Sequence, residues 1–324
     1  GKFPLLLMIS TSTQKLITAV VALNELGQDH KFTTQILTQN APIDGVIDGN
    51  VWLVGGGDPL LMTSDYAQRY LDDLAYTDLE ILADQIIDLG INTITGAVVG
   101  DESYFDEIRW VESWPERFRA GAQNQTGPLS ALSVNDGFMN WDAENTANSL
   151  NTPAVEPAQF AAALFDDLLE ERSVRIFQSA YAETKPVDAA IQLGVIESPA
   201  VSEIVKQMLQ TSDNTTAEIL VKAISADSGV AGSTSSGNQI IQQVVETLTG
   251  MTDSTVVSDG SGLDPSNRTT CSVLVDLLEM ESFSADLYDG LAVAGESGTL
   301  RNRLTGSSAE GRLLAKTGTL NDSK

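Results

Sequence analysis

Three short elements carry side chains that could perform acyl transfer together: Ser12-Thr13-Gln14-Lys15, Ser212-Asp213-Asn214 and Lys316-Thr317-Gly318. A serine hydroxyl is a weak nucleophile until a neighbouring base removes its proton. Histidine is the commonest such base, yet the 324 residues contain only one, His30. It stands between Asp29 and Lys31 in a helix-to-strand connection, where a solvated loop residue is expected. A lysine can serve instead when burial, or a second ammonium nearby, lowers its pKa far enough to leave it neutral. Lys15 follows Ser12 by three residues, which puts both on one face of a helix with the lysine one turn inward. The field at the helix N-terminus then favours a developing alkoxide on Ser12.

The three elements differ in specificity. Lys15 is the only lysine with a serine three positions before it, and Lys-Thr-Gly occurs once. Ser-x-Asn is weaker, since Ser133-Val134-Asn135, Ser149-Leu150-Asn151 and Ser236-Gly237-Asn238 match equally well. Ser212 is preferred because it lies between two expected helices and begins the one literal Ser-Asp-Asn. Taken singly, Ser12 and Ser212 read as helix caps and Lys316 as a strand-end charge. In this order, each in its required context, they point to a serine acyl-transferring enzyme. Other features are plainer. Gly55-Gly56-Gly57 lacks a following Gly-Lys-Ser/Thr and reads as a turn, not a phosphate cradle. Asp72-Asp73 and Asp166-Asp167 read as solvated helix surface. One cysteine, Cys271, and one histidine exclude a disulfide framework and a Cys- or His-rich metal cluster. No metal and no cofactor are expected.

These groups need a scaffold. Apolar residues make up 42% and charged residues 19% of the chain, enough for packed cores in about two domains. The net charge of −27 repels a phosphate backbone, so no nucleic-acid partner is expected, and it argues against docking on anionic lipid by charge alone. No transmembrane segment is expected, since no apolar run approaches ~18 residues; the short apolar stretch 5–9 reads as a buried segment. Residues 13–26 form a helix apolar on nearly every turn position and stopped by Gly27. Strands are expected over 32–37, 46–54, 94–99 and 129–134, and helices over 79–89 and 157–171. From about residue 198 successive helices follow, over 199–209, 215–225, 238–248 and 272–279, before a strand over 312–319. No internal repeat is found.

The motif set is that of penicillin-binding proteins and class A β-lactamases. The chain resembles the class C low-molecular-mass penicillin-binding proteins, the D-alanyl-D-alanine carboxypeptidases/endopeptidases of peptidase family S13. Besides the motifs, the resemblance includes GNVWLVGGGDP (49–59), GAVVGDESYF (96–105), GPLSALSVNDG (127–137), DGSGLDPSNR (259–268) and VAGESGTL (293–300). The 200 residues from Ser12 to Ser212 fit a catalytic domain split by a large insert. The resemblance implies an α+β fold, a serine β-lactamase/transpeptidase-like domain of helices on an antiparallel sheet from residues 1–45 and 194–324, interrupted by a mainly-β insert over 46–193. It implies Ser12 as nucleophile, Lys15 as general base, and Ser212 with Asn214 relaying a proton to the leaving amine and holding the substrate amide. Lys316, helped by Thr317 and Gly318, would attract the terminal carboxylate. The N–H groups of Ser12 and Thr319 would form the oxyanion hole, and Asp136 would contact a free amino group of the stem peptide. Peptidoglycan stem peptides are the implied substrates, β-lactam antibiotics the implied covalent inhibitors, and periplasm or cell wall the implied location. Family members continue beyond both ends of this stretch, so the chain is expected to be a fragment, and Met8-Ile9-Ser10-Thr11 replaces the usual Pro-Ala approach to the nucleophile. A serine β-lactamase or esterase on the same scaffold, or a catalytically inactive peptidoglycan-binding relative, are the alternatives; no Glu-x-x-Leu-Asn deacylation element is present.

Overall fold

Apolar or small residues fill the turn positions from Leu16 to Leu23, and a helix so composed has to be surrounded. The computed structural model describes residues 6–68, 74–119, 124–141, 151–226 and 230–318. Along it run α1 (Gln14–Glu25), β1 (Thr33–Thr38), β2 (Val51–Gly55), α2 (Glu80–Asp88), β3 (Val98–Asp101), α3 (Pro157–Glu171), β4 (Tyr181–Ala182) and β5 (Ile191–Glu197). Then come α4 (Val201–Thr211), α5 (Asn214–Ala226), α6 (Thr234–Thr249), α7 (Cys271–Glu279), β6 (Ala292–Val293) and β7 (Leu314–Ala315). Helix α1 buries ten of its twelve side chains. α4, α5, α6 and α7 pack around it, and Ile17, Val20, Ile204, Met208, Leu220 and Ile241 fill the core they share.

A second core lies over a five-stranded sheet of order β4-β3-β2-β1-β5. β1 runs antiparallel to both β5 and β2, with Ile36 opposite Leu53, while β2, β3 and β4 are parallel. Helices α2 and α3 cover one face and bury Leu82, Ile86, Ala161 and Phe165 against Ile36, Leu53 and Val98. The Gln85 carboxamide of α2 accepts from Val195 N (2.9 Å) and donates to Val195 O (3.0 Å). Gly100 lets α3 approach β3: a Cβ there would lie 2.2 Å from Ala158 O.

Several elements differ from their sequence reading. Residues 33–38, grouped by sequence with segment 1–45, hydrogen-bond into the insert's sheet as β1, between β2 and β5. The region 46–193, expected as a mainly-β insert, mixes helix with strand because α2 and α3 cover that sheet. The strand expected over 46–54 divides into Val46–Ile47 and β2, separated by Gly49 at φ 116°. Residues 129–134 form no strand. Their backbone partners are scattered, with Leu129 N donating to Arg109 O and Gly57 N donating to Ala131 O, both at 2.9 Å. The apolar content there reports burial without a ladder. Leu6, Leu7, Met8 and Ile9, expected to be buried, are each more than a third exposed; Met8–Ile9 pairs on one side only, with Arg268–Thr269. Among the described residues, antiparallel pairing in the helical half comprises that small sheet and the two-residue pair β6–β7.

Candidate active site

Ser12 sits in the turn that feeds α1, where Gln14 N donates to Thr11 O (2.8 Å) and Lys15 N to Ser12 O (3.4 Å). Lys15, on the first turn, is fully buried. Its Nζ donates to Asn214 Oδ1 (2.6 Å) and to Ser261 O (2.7 Å). Burial holds its pKa down to about 8, against the pull of Asp259, Glu218 and Asp213 in the other direction.

The second element is a chain reversal between two helices. Ser212 caps α4 in the left-handed region at φ 63°, ψ 38°, and Asp213 Oδ1 accepts from Thr216 N (3.0 Å), capping α5. Asn214 therefore opens α5 with its carboxamide fixed at both ends, the oxygen on Lys15 and Nδ2 on Gln125 O (2.9 Å). The third element follows β7. Lys316 Nζ donates to Ser212 Oγ (2.7 Å) and Thr317 O (3.2 Å). Burial, and then the Lys15 charge, push its pKa down to about 7. Thr317 Oγ1 donates to Thr299 Oγ1 (2.8 Å). Gly318 presses on the start of the Ser12 turn: a Cβ there would lie 2.0 Å from Thr11 Oγ1 and 3.4 Å from Ser12 N. Three elements some 200 and 100 residues apart in sequence thus meet at one place.

The remaining expected site residues lie elsewhere. Thr319 falls outside the described residues. Asp136 is buried in the insert, where its Oδ2 accepts from Tyr66 Oη (2.6 Å). His30 is exposed and stands edge-on to Phe32 at 5.1 Å between ring centroids. The competing Ser-x-Asn matches are committed to other contacts: Asn135 Oδ1 accepts from Thr63 N (2.9 Å), and Asn238 Nδ2 donates to Ser258 O (2.8 Å). Ser149-Leu150-Asn151 begins outside the described residues. Asp166, Asp167 and Glu170 on α3 bring carboxylate oxygens within 4.8 Å of one another, an acidic helix face without a second feature to mark it as a site. No described helix is long and apolar enough to cross a membrane.

The profile of the D-Ala-D-Ala carboxypeptidase 3 (S13) family matches residues 6–156 and 143–323. The chain belongs to this family. It is 29% identical to a D-alanyl-D-alanine carboxypeptidase of Actinomadura sp. (strain R39), over 97% of the chain and 69% of that relative. A carboxypeptidase of Mycobacterium tuberculosis is 26% identical over 97% of the chain and 66% of its own length. The chain thus spans about two thirds of the length of these relatives. The fold is similar to that of penicillin binding protein 4 from Haemophilus influenzae, with a TM-score of 0.79 at 21% identity, covering 97% of this chain and 80% of that one. A β-lactam complex of the same H. influenzae protein gives a TM-score of 0.72 at 20% identity, covering 97% and 79%.

Around the S13 motifs, the sequence reading missed several supporting groups. Ser261 O and Gln125 O hold Lys15 and Asn214 through backbone atoms, which no side-chain motif announces. Thr299 holds Thr317. Glu218 and Asp259 are fully buried carboxylates. Glu218 did carry a signal: it is a lone acid in the apolar run AEILVKAI, four residues after Asn214.

Proposed function

We propose that this S13 family member acts as a serine-type D-Ala-D-Ala carboxypeptidase/endopeptidase on peptidoglycan stem peptides, through an acyl-enzyme on Ser12. The observation that carries the reading is the setting of Lys15. A neutral amine has two N–H groups and one lone pair. Asn214 Oδ1 and Ser261 O take two donors from Nζ, which leaves the lone pair for the Ser12 proton. Burial that holds the pKa near 8 makes this neutral form accessible.

Ser12 Oγ gives its proton to Lys15 Nζ and attacks the carbonyl carbon of the penultimate D-alanine. The tetrahedral oxyanion is held by the N–H of Ser12 and, in the family pattern, that of Thr319. As the C–N bond breaks, the proton held on Lys15 Nζ passes through Ser212 Oγ, which Lys316 Nζ already contacts, to the leaving D-alanine amine, and Lys15 is neutral again. Lys316, with Thr317 and Gly318 in the same segment, attracts the terminal carboxylate, and Asn214 holds the substrate amide. Water then attacks the ester carbonyl and gives one proton to neutral Lys15, which returns it to Ser12 Oγ as the ester C–O bond breaks and the shortened peptide acid leaves. β-Lactams present the same acyl group in a ring whose leaving nitrogen stays tethered, so they acylate Ser12 and block it. In this proposal the helical body, residues 1–45 and 194–324 apart from the strands β1 and β5, is the catalytic unit and the intervening region its insert. Asp136 is a more distant contact for a stem-peptide amine, and the working compartment is outside the cytoplasmic membrane.

Trapping with penicillin followed by peptide mass spectrometry tests the assignment. An adduct on Ser12 together with release of D-alanine from a D-Ala-D-Ala peptide is expected. Rapid penicillin turnover without peptide cleavage would favour a β-lactamase, and neither activity would favour an inactive binding relative.

A further inference from the structure

The two contacts that hold Lys15 Nζ come from different elements, and both depend on α5. Asn214 and Glu218 are four residues apart on that helix and share a face. Glu218 Oε1 accepts from Gly260 N (3.0 Å) and from Ser261 N (2.8 Å). From the same two residues, Gly260 O accepts from Thr18 Oγ1 (2.7 Å) and Ser261 O from Lys15 Nζ (2.7 Å). Residues 260 and 261 are therefore strung between a carboxylate on α5 and two side chains on α1.

The loop has little other freedom. A Cβ on Gly260 would lie 2.4 Å from Val221 Cγ2, and one on Gly262, at φ 84°, would lie 2.0 Å from Thr11 O, just before the nucleophile. Asp259 closes the loop on itself through Gly262 N (2.7 Å), Asp264 N (2.6 Å) and Asn267 Nδ2 (2.7 Å). A fully buried carboxylate is costly unless it is paired or hydrogen-bonded, and both hydrogen bonds to Glu218 Oε1 come from this loop.

We propose that Glu218 is a positioning residue for the general base: it aims the Ser261 carbonyl at Lys15 Nζ and supplies negative charge that sets how readily the lysine gives up its proton. The inference rests on the acyl-transfer reading for its catalytic meaning, though the hydrogen-bonded path from Glu218 through Ser261 to Lys15 stands on geometry alone. The charged groups facing Lys15 are Asp259 from the loop, Glu218 from α5, Asp213 from the α4–α5 turn, and Lys316 from beyond β7. Glu218 holds the Ser261 ligand through Ser261 N and Asp259 holds it through Gly262 N, so of the two carboxylates on this loop Glu218 is the one that comes from α5. Burial, and then the Asp259 charge, raise the Glu218 carboxyl above its ordinary range, so it is a poised charge and not a fixed one.

Glu218→Gln keeps an acceptor for both N–H groups and removes the charge; Glu218→Leu removes both. Two readouts are needed. The first follows the Lys15 side-chain carbon signals of 13C-lysine-labelled protein through a pH titration, which requires no activity. The Lys15 midpoint, near 8 in the unsubstituted protein, is expected to fall by about one unit in Glu218→Gln. The second is the rate of Ser12 acylation by a fluorescent penicillin against pH. The acid limb should move down with the NMR midpoint in Glu218→Gln, whereas Glu218→Leu should acylate about tenfold more slowly or worse at every pH. An unmoved Lys15 midpoint in Glu218→Gln overturns the proposal, whether or not Glu218→Leu folds. A shifted midpoint with no acylation of the unsubstituted protein would instead sink the acyl-transfer reading and leave the Glu218–Lys15 charge relation standing.

Discussion

Two lysines with lowered pKa values have opposite tasks in the proposed mechanism. Lys15 must be neutral to take the Ser12 proton, and Lys316 must be protonated to attract a carboxylate. Their pKa values, about 8 and about 7, lie in the unfavourable order, so the productive combination is a minority state. As independent groups, roughly a quarter of each lysine would be in the required form at about pH 7.5 and about 6% of the enzyme would carry both; the Lys15–Lys316 repulsion raises that share, because a neutral Lys15 lets Lys316 keep its proton. By about pH 9 the same product falls to roughly 1%, although about 90% of Lys15 is then neutral. kcat/KM on a peptide ending in D-Ala-D-Ala should therefore be bell-shaped with its maximum near pH 7.5. Amidating the terminal carboxylate removes the demand on Lys316, and the profile should become a single rise through about pH 8. The preference for the amide over the acid should grow about 20-fold between pH 7.5 and 9. Chromatographic measurement of the released D-alanine or D-alaninamide gives both profiles. Superimposable profiles for acid and amide would refute the charge-recognition role and leave Lys316 in proton transfer through Ser212.

Ser12→Ala should abolish the penicillin adduct, and mass-spectrometric labelling that survives the change, or appears on another residue, would remove Ser12 from the mechanism. Gly318→Ala places a Cβ 2.0 Å from Thr11 Oγ1, an overpacking cost of about 1–3 kcal/mol; Tm and acylation rate should both fall, and Thr11→Ala in the same chain should restore much of the loss. Asp58 is buried and its carboxyl is raised to about 6, chiefly by burial. Its folded state holds a proton that the unfolded chain releases near pH 4, so its stabilising contribution is present at low pH and fades as pH rises through about 6. Asp58→Asn should flatten the decline of stability between pH 4 and 6 by up to about 3 kcal/mol, read from chemical denaturation at a series of pH values; an unchanged slope would contradict the assignment.

The parts of the fold that could be read from sequence were those whose periodicity and function coincide. Residues 13–26 had to be a buried helix, and α1 spans Gln14–Glu25. Lys15 was marked by its spacing from Ser12, and Lys316 by its setting before Thr-Gly. What escaped were features created by non-local pairing. Nothing within TTQILT says that β1 joins the insert's sheet, because Ile36 finds Leu53 only once the chain has folded back. Residues 129–134 are as apolar as a short strand yet spend their hydrogen bonds singly. The backbone acceptors Ser261 O and Gln125 O have no residue-type signature at all. A motif names the side chains that act, while the atoms that aim them belong to whichever loop the fold brings near.

That distinction bears on the proposed insert, which the family resemblance presents as an interruption between Ser12 and Ser212. Asp106, Trp114, Gln125 and Gly127 brace the proposed catalytic groups and their helix at four points. Gln125 O holds Asn214 Nδ2 (2.9 Å), and Gly127 N donates to Thr215 Oγ1 (3.3 Å) on the next residue of α5. Trp114 Nε1 donates to Asp259 Oδ2 (2.9 Å), fixing the loop that carries Ser261. Asp106 pairs with Lys222, which is buried on α5 one turn beyond Glu218. α5 bears Asn214, Glu218 and Lys222 at successive four-residue steps, so one face of one helix meets, in order, the base, the loop that holds the base, and the insert. A rotation of α5 that relaxed any one of these contacts would disturb the other two. Residues 106–127 therefore act as part of the frame around Lys15, although they lie between the two motifs in sequence.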